Sequence, residues 1–179
     1  MSLRITGGSL RGRALTGRVP EGVRPTGSLV RQALFDILGH EIVGASFLDA
    51  TGGTGLVAIE AWSRGAAPVL AVEKDRRAAA SLRASLLRLG LDGRIALLEA
   101  DALQALPRRG GPGFDLIFAD PPYHVPLGPW VEALRPIALG RLILQHASRV
   151  EAPPAPAGSV LASRRYGDTT LSFYEIGTP

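Results

Sequence analysis

From residue 46 to residue 146, short apolar runs alternate with segments of helical periodicity, and that alternation leaves few folds open. The runs "ASFLDA", "PVLAVE", "RIALLEA", "FDLIFA" and "RLILQHA" are continuously apolar, not apolar at every second position. Strands that read this way are covered on both faces. Between them the pattern predicts a helix over about 55–64, a helix capped by Asp75 and ended by Gly90, a short helix to Leu106, and a helix over 127–138. The chain is therefore expected to be an α/β domain with a mainly parallel sheet. "VLASRRY" and "TTLSFYEI", joined by "GD", read as a closing hairpin that adds one antiparallel strand. Upstream, residues 2–18 read as a hairpin around "GG". Thr26 reads as an N-cap for a helix whose apolar face is Val30, Ala33, Leu34, Ile37 and Leu38, stopped by Gly39. The division expected is a basic extension over 1–25 and one domain over 26–179.

Composition narrows the function classes. No apolar run in the 179 residues approaches the ~18 needed to span a membrane. "MSLRITGGSLRGR" has no apolar core of a signal peptide, so a cytoplasmic protein is expected. The absence of cysteine excludes disulfides, thiolate catalysis and cysteine zinc sites. Charge is uneven. The first 31 residues hold Arg4, Arg11, Arg13, Arg18, Arg24 and Arg31 against Glu21 alone, a net +5. The other fourteen basic residues face fifteen acidic ones, a net −1. A basic segment on a neutral body points to a polyanionic partner, nucleic acid first.

Ligands of open parallel sheets bind beyond the carboxyl ends of the strands. Those ends carry Asp49 followed by "ATGGTG", then Glu73, then Asp101, then Asp120 followed by "PPY". Each acid could simply cap the next helix. That suffices for Asp75 and can suffice for Asp101, but is a weak account of four rim positions at once. Gly53, Gly55 and Ala58 match G-x-G-x-x-A, with Glu73 about 20 residues on. This fits an adenosine-type ligand, either a nicotinamide cofactor or S-adenosylmethionine. Asp49 would repel a pyrophosphate and suits the cationic amino-acid end of S-adenosylmethionine. At the fourth strand, Pro121 and Pro122 fix the backbone, so the Asp120 carboxylate and a main-chain carbonyl can both face the cleft. Two acceptors fit a nitrogen with two hydrogens, such as the exocyclic amine of a nucleobase. Tyr123 offers a face on which an extruded base can stack.

"DPPY" after a fourth strand resembles the catalytic motif of amino-methyltransferases. "RPTGSLVRQALFDIL", "GLVAIEAWSRGA", "AVEKDRRAAASLRASLLRLGL" and "FDLIFADPPY" together resemble bacterial enzymes that methylate a guanine N2 amine in 16S ribosomal RNA, the small-subunit methyltransferase D type. The basic "RITGGSLRGRALTGRVPEGVRPT" resembles the start of that family. The family loop usually reads D-L-F-A-G-S-G; here it is D-A-T-G-G-T-G. The resemblance implies a Rossmann-like methyltransferase fold with a seven-stranded sheet. It implies that Asp49, Ala50, Thr51, Gly52, Gly53 and Gly55 hold the amino-acid end of S-adenosylmethionine. Glu73 would take the ribose, Lys74 and Asp75 would flank the adenosine, and Asp101 with Ala102 would address the adenine. Asp120, Pro121, Pro122 and Tyr123 would hold the target base, with Asp120 also at the cofactor. The stretch from Arg24 to Arg31 would close over the cofactor. The arginines before it would meet phosphates of 16S rRNA, within a 30S subunit or an assembly intermediate.

Other readings share some of these features: a DNA adenine methyltransferase, a nicotinamide oxidoreductase, and a non-catalytic RNA-binding assembly factor. No Walker lysine or G-x-S-x-G elbow is present, and His40, His124 and His146 lack metal-ligand spacing. No metal is expected. His124 stands beside the proposed base site.

Overall fold

The computed structural model describes residues 3–15, 27–108, 110–155 and 159–176. Five parallel strands arise where the apolar runs predict them: β3 (Phe47–Asp49), β4 (Val69–Glu73), β5 (Ile95–Glu99), β6 (Phe114–Ala119) and β7 (Ala138–Ala147). The closing hairpin supplies β8 (Ser159–Tyr166) and β9 (Thr169–Ile176). The order across the sheet is β5-β4-β3-β6-β7-β9-β8, with β9 antiparallel to both neighbours. The chain starts in the middle at β3, runs out to β5, and returns to β6 on the other side. The crevice between β3 and β6 is therefore the switch point where ligands of such sheets lie.

Among the described residues five α-helices cover the sheet: α1 (Ser28–Leu38), α2 (Leu56–Ser63), α3 (Arg76–Leu89), α4 (Ala102–Ala105) and α5 (Gly128–Leu134). Phe47, Ala71, Phe118, Ile143 and Phe173 face α1, α2 and α3. Leu48, Leu70, Ile117, Leu142 and Leu144 face α4 and α5. Both faces are thus buried, which is why the central strands carry no alternation. Asp75 caps α3 by accepting from Ala78 N at 2.8 Å, and Gly90 ends it in the left-handed conformation. The helix expected over 127–138 stops at Leu134. Pro136 lacks the N–H that would continue it, so Arg135–Ile137 form a 3-10 turn and β7 begins early, at Ala138. Gly27 occupies the N-cap of α1; Thr26 lies outside the described residues.

At the N-terminus β1 (Leu3–Arg4) and β2 (Ala14–Leu15) pair antiparallel. This hairpin is held tightly. Ile5 and Leu15 belong to the main core, and Thr6 donates to Glu60 from both N and Oγ1. Ser63, near the end of α2, donates to Gly7 O at 2.7 Å and accepts from Leu10 N at 2.9 Å. Gly8 (φ +76) lies so close to the Ser63 carbonyl that a Cβ would sit 1.9 Å from its oxygen. Glu60 is fully buried and pairs with Arg31 at 2.7 Å and Arg64 at 2.9 Å. This corrects one expectation. Arg31 does not close over a cofactor or join a basic surface; it is 2 % exposed, locked to Glu60, and donates to Arg4 O.

Candidate active site

Beyond the carboxyl ends of β3, β4, β5 and β6 lies a cleft of about 450 Å³. It brings together all four rim carboxylates: Asp49, Glu73, Asp101 and Asp120. Ala50, Thr51, Gly52, Gly53, Lys74, Ala102, Pro121, Pro122, Tyr123 and His124 line it too. Two expected residues do not. Asp75 is turned to the α3 cap. Gly55 (φ +78) begins α2, and a Cβ there would lie 2.0 Å from Leu82 Cδ1, so this glycine serves helix packing.

On the β3–β4 side the acids are held by backbone. Asp49, 1 % exposed, accepts from Thr51 N at 3.1 Å. Burial pushes its carboxyl up to about 7; the amides of Thr51 and Ala58 pull it down, and the charge of Glu73 adds to the rise. Glu73 accepts from Gly53 N and from Asp75 N, each at 2.7 Å, so this one carboxylate fixes both loops around it. Each of its oxygens keeps a further lone pair for a ligand hydroxyl. Gly52 N donates to Val72 O at 2.7 Å, which lays the glycine loop against the end of β4. Asp101 caps α4 through Leu103 N at 3.0 Å and also faces the cleft.

On the β6–β7 side the acid is held by side chains. Asp120 and Gln145 follow the paired residues Ala119 and Leu144 on adjacent parallel strands. Gln145 Nε2 donates to Asp120 Oδ2 at 2.8 Å. Asp120 N donates to Thr51 Oγ1 at 2.8 Å, tying the diproline segment to the glycine loop. The half-buried Tyr123 has its hydroxyl 3.2 Å from Thr169 Oγ1, at the start of β9.

Sequence reasoning missed Gln145, Trp130, Leu103, Phe118 and Val125, the last four of which line the cleft. Gln145 could have been found by placing Asp120 next to it in a parallel register, because "RLILQHA" is one strand over from "FDLIFAD". Trp130 could not, since α5 sits there only through tertiary packing. His40 lies in the 3-10 turn after α1, and His146 is buried in β7 beside Ser172 Oγ at 2.8 Å. Among the described residues no three His, Asp or Glu side chains form a metal-binding group, and no helix is long and apolar enough to cross a membrane.

Of the arginines expected to meet RNA, Arg4, Arg11 and Arg13 are exposed on the N-terminal hairpin. Arg18 and Arg24 lie outside the described residues. The hairpin docks at the end of α2 away from the glycine loop. Eight helical residues separate the two ends by roughly 12 Å.

Known proteins are similar to this chain in sequence and fold. Escherichia coli ribosomal RNA small subunit methyltransferase D is 37% identical over 122 residues, 68% of this chain and 61% of the relative, so the match spans under two thirds of that protein. YlbH of Bacillus subtilis, itself only provisionally named an rRNA methyltransferase, is 29% identical over 97% of this chain and 98% of its own length. The solved structure of yhhF from Escherichia coli, also provisionally named a methyltransferase, superposes with a TM-score of 0.87 at 30% identity, covering 100% of both chains. The family described as "Conserved hypothetical protein 95" matches residues 3–175, and the chain belongs to it, the family of the small-subunit rRNA methyltransferase D type.

Proposed function

We propose that this chain is an S-adenosylmethionine-dependent methyltransferase that modifies the exocyclic amine of a guanine in 16S rRNA. The base turns out of its helix into the site formed by Asp120, Pro121, Pro122 and Tyr123. The observation that carries the reading is the charge of the cleft: four carboxylates face one lysine, Lys74. A dinucleotide pyrophosphate would meet repulsion there. A ligand with a cationic sulfur and an ammonium group meets buried Asp49, and Glu73 offers acceptors for ribose hydroxyls. Ala102, Leu103 and Val72 give apolar contact for an adenine. The residues present therefore fit S-adenosylmethionine, which supplies a methyl group on a positively charged sulfur.

The chain's own groups act on the base. Asp120 and a neighbouring main-chain carbonyl accept hydrogen bonds from the two amine hydrogens. This draws the nitrogen lone pair out of conjugation and towards the methyl group. Gln145 holds Oδ2 of Asp120, so the carboxylate keeps one orientation. As the nitrogen bonds to the methyl carbon, that carbon's bond to sulfur would break and the sulfur would leave as a neutral thioether; the nitrogen would then carry the positive charge, and Asp120 would take the proton it releases. Tyr123 stacks on the base, and the tie to Thr169 keeps its ring at the mouth. No metal is required in this scheme.

Residues 1–25 act as an RNA-binding extension of a methyltransferase domain over 26–179. Arg4, Arg11 and Arg13, with Arg18 and Arg24, contact phosphates without reading bases. The substrate is a 30S subunit or an assembly intermediate in the cytoplasm. Transfer of tritiated methyl from S-adenosylmethionine to under-modified 30S subunits, to naked 16S rRNA and to DNA tests the reading. Label is expected in the subunit or the RNA and not in DNA. Calorimetric binding of NADH with none of S-adenosylmethionine would remove the proposal. Arg11→Ala with Arg13→Ala should weaken RNA binding and flatten its salt dependence while leaving the modified nucleotide the same.

A further inference from the structure

Beyond Tyr123 the same rim opens into a second hollow, of about 530 Å³, which the proposed chemistry does not use. Its walls are Tyr123, the end of β7 (Ala147, Ser148, Arg149) and the tip of the closing hairpin (Arg165, Asp168). Tyr123 lines both this hollow and the cofactor cleft, so the two are adjacent chambers sharing one aromatic wall.

The hollow is rigidly framed. Ser148 N donates to Asp168 O at 2.8 Å, and Ser148 Oγ donates to Gly167 O at 3.0 Å and lies 2.9 Å from Thr170 Oγ1. These bonds clamp the hairpin turn to the end of β7. Arg165 Nε donates to Gly167 O at 2.9 Å, which fixes its guanidinium by one edge and leaves the terminal nitrogens for a ligand. Arg149 and Arg165 are both exposed, and neither forms an ion pair among the described residues. Arg141, on the same strand as the hollow's wall, is by contrast held by Glu41 and Glu175. Two arginines against Asp168 leave the hollow net positive.

A nucleotide whose base enters a pocket must leave its sugar and phosphates at the mouth. An arginine fork matches a phosphate with paired N–H donors. Resting on the proposed function, we infer that Arg149 and Arg165 form a phosphate subsite for the backbone of the nucleotide whose base stacks on Tyr123. The subsite would hold the strand where the base leaves it, whereas the N-terminal hairpin holds RNA further off. Asp168 works against the anion and keeps the subsite from gripping any polyanion indiscriminately.

The test is a salt titration of binding to 16S rRNA, alongside steady-state methylation of under-modified 30S subunits. Arg149→Gln with Arg165→Gln should bind RNA roughly 10-fold more weakly at low salt. Its log–log salt slope should be shallower by about 0.7, the figure for one single-strand phosphate no longer neutralised. KM for the subunit should rise while kcat and S-adenosylmethionine affinity stay. Arg149 makes no side-chain hydrogen bond to another described residue, so Arg149→Gln alone keeps the hairpin intact and should give about half the slope change. Asp168→Asn should bind RNA more tightly. Arg77→Ala, exposed on α3, serves as the remote control. Unchanged affinity and slope in the double variant, or an equal change in Arg77→Ala, overturns the subsite. Methylation absent from the wild type defeats the proposed function separately, and the binding titration still decides the subsite. A wild type that does not bind RNA at all defeats the subsite.

Discussion

In the half of the cleft built by β3, β4 and β5, every acid is held by backbone amides; in the half built by β6, β7 and the closing hairpin, the acid and the aromatic are held by side chains. Asp49 takes Thr51 N, Glu73 takes Gly53 N and Asp75 N, and Asp101 takes Leu103 N. Asp120 instead takes Gln145 Nε2, and Tyr123 leans on Thr169. Backbone-held groups stay put as long as the loops do. Side-chain-held groups can be loosened one at a time. Substitutions in the first half should therefore change how tightly the cofactor binds, and substitutions in the second should change turnover or RNA affinity.

The sharpest break is expected at Asp120. Asp120→Ala removes the acceptor proposed to favour the reacting nitrogen, and turnover should fall by about 10²–10³-fold, the scale of losing one preorganised partner of the transition state. If Asp120 serves the base and not the cofactor, S-adenosylmethionine affinity should be nearly kept. Single-turnover methylation close to wild type in a folded Asp120→Ala protein would end the mechanism. In the other half, Glu73→Ala removes the proposed charge-assisted bond to ribose and also frees the amides of Gly53 and Asp75. Cofactor affinity should drop roughly 10- to 100-fold, about 1.5–3 kcal/mol, as read by calorimetry. If the loss appears in kcat with affinity unchanged, the division between the two halves fails.

Tyr123 sharpens the comparison on the RNA side. Tyr123→Ala removes a stacking face worth on the order of 1–3 kcal/mol, so RNA affinity should fall while cofactor affinity does not. Tyr123→Phe keeps the face and loses the tie to Thr169, so its effect should be small. Equal loss in both variants would assign the role to the hydroxyl.

Asp49 gives the cofactor half a pH signature. Its carboxyl, raised by burial to about 7, holds a proton that the unfolded chain releases at about 4. Between those values the folded state binds more protons than the unfolded one, so stability falls as pH rises from about 4 to about 7 and then levels. A cationic ligand favours the ionised form, so affinity for S-adenosylmethionine should climb as pH passes through about 7. Asp49→Asn should flatten both trends, seen in melting temperature and in calorimetric titrations across that range. A wild type whose cofactor affinity is level from pH 6 to 8 would remove Asp49 from contact with the cation.

The same contrast between the halves explains what was legible in the sequence. Backbone-held acids need neighbours only two or three positions away, or a glycine loop at a fixed offset. "DATGGTG", Glu73 and Asp101 could thus be read as one rim from spacing alone. That Asp120 to Tyr123 lie at the cleft was legible because folding does not demand an acid, two prolines and an aromatic ring in that order at a strand end. Gln145 is 25 positions from Asp120 and Thr169 is 46 from Tyr123, and only the sheet brings each pair together. Arg31 misled for the same reason. Its charge counted toward a basic segment, while Glu60, 29 positions away, had already claimed it. A count of charges cannot see a buried pair.

The smallest effect, and the most diagnostic, is expected at Gln145. Its amide nitrogen serves Asp120, but its Oε1 is buried with no partner among the described residues. Gln145→Leu loses one charge-assisted bond and also removes that unsatisfied oxygen, and the two nearly offset in stability. Melting should therefore shift little, by an amount corresponding to no more than about 1 kcal/mol. Turnover should fall several-fold, because Asp120 is no longer fixed in one orientation. Gln145→Glu separates positioning from packing. It places a second carboxylate against Asp120, and two adjacent acids resist ionising together, so the pair gives up its second proton only at higher pH. Methylation should then recover as pH rises, following the loss of that proton, while Gln145→Leu stays low at every pH. If both variants keep wild-type turnover and an unchanged pH profile, Gln145 does not position Asp120, and the contrast between the two halves fails at this residue.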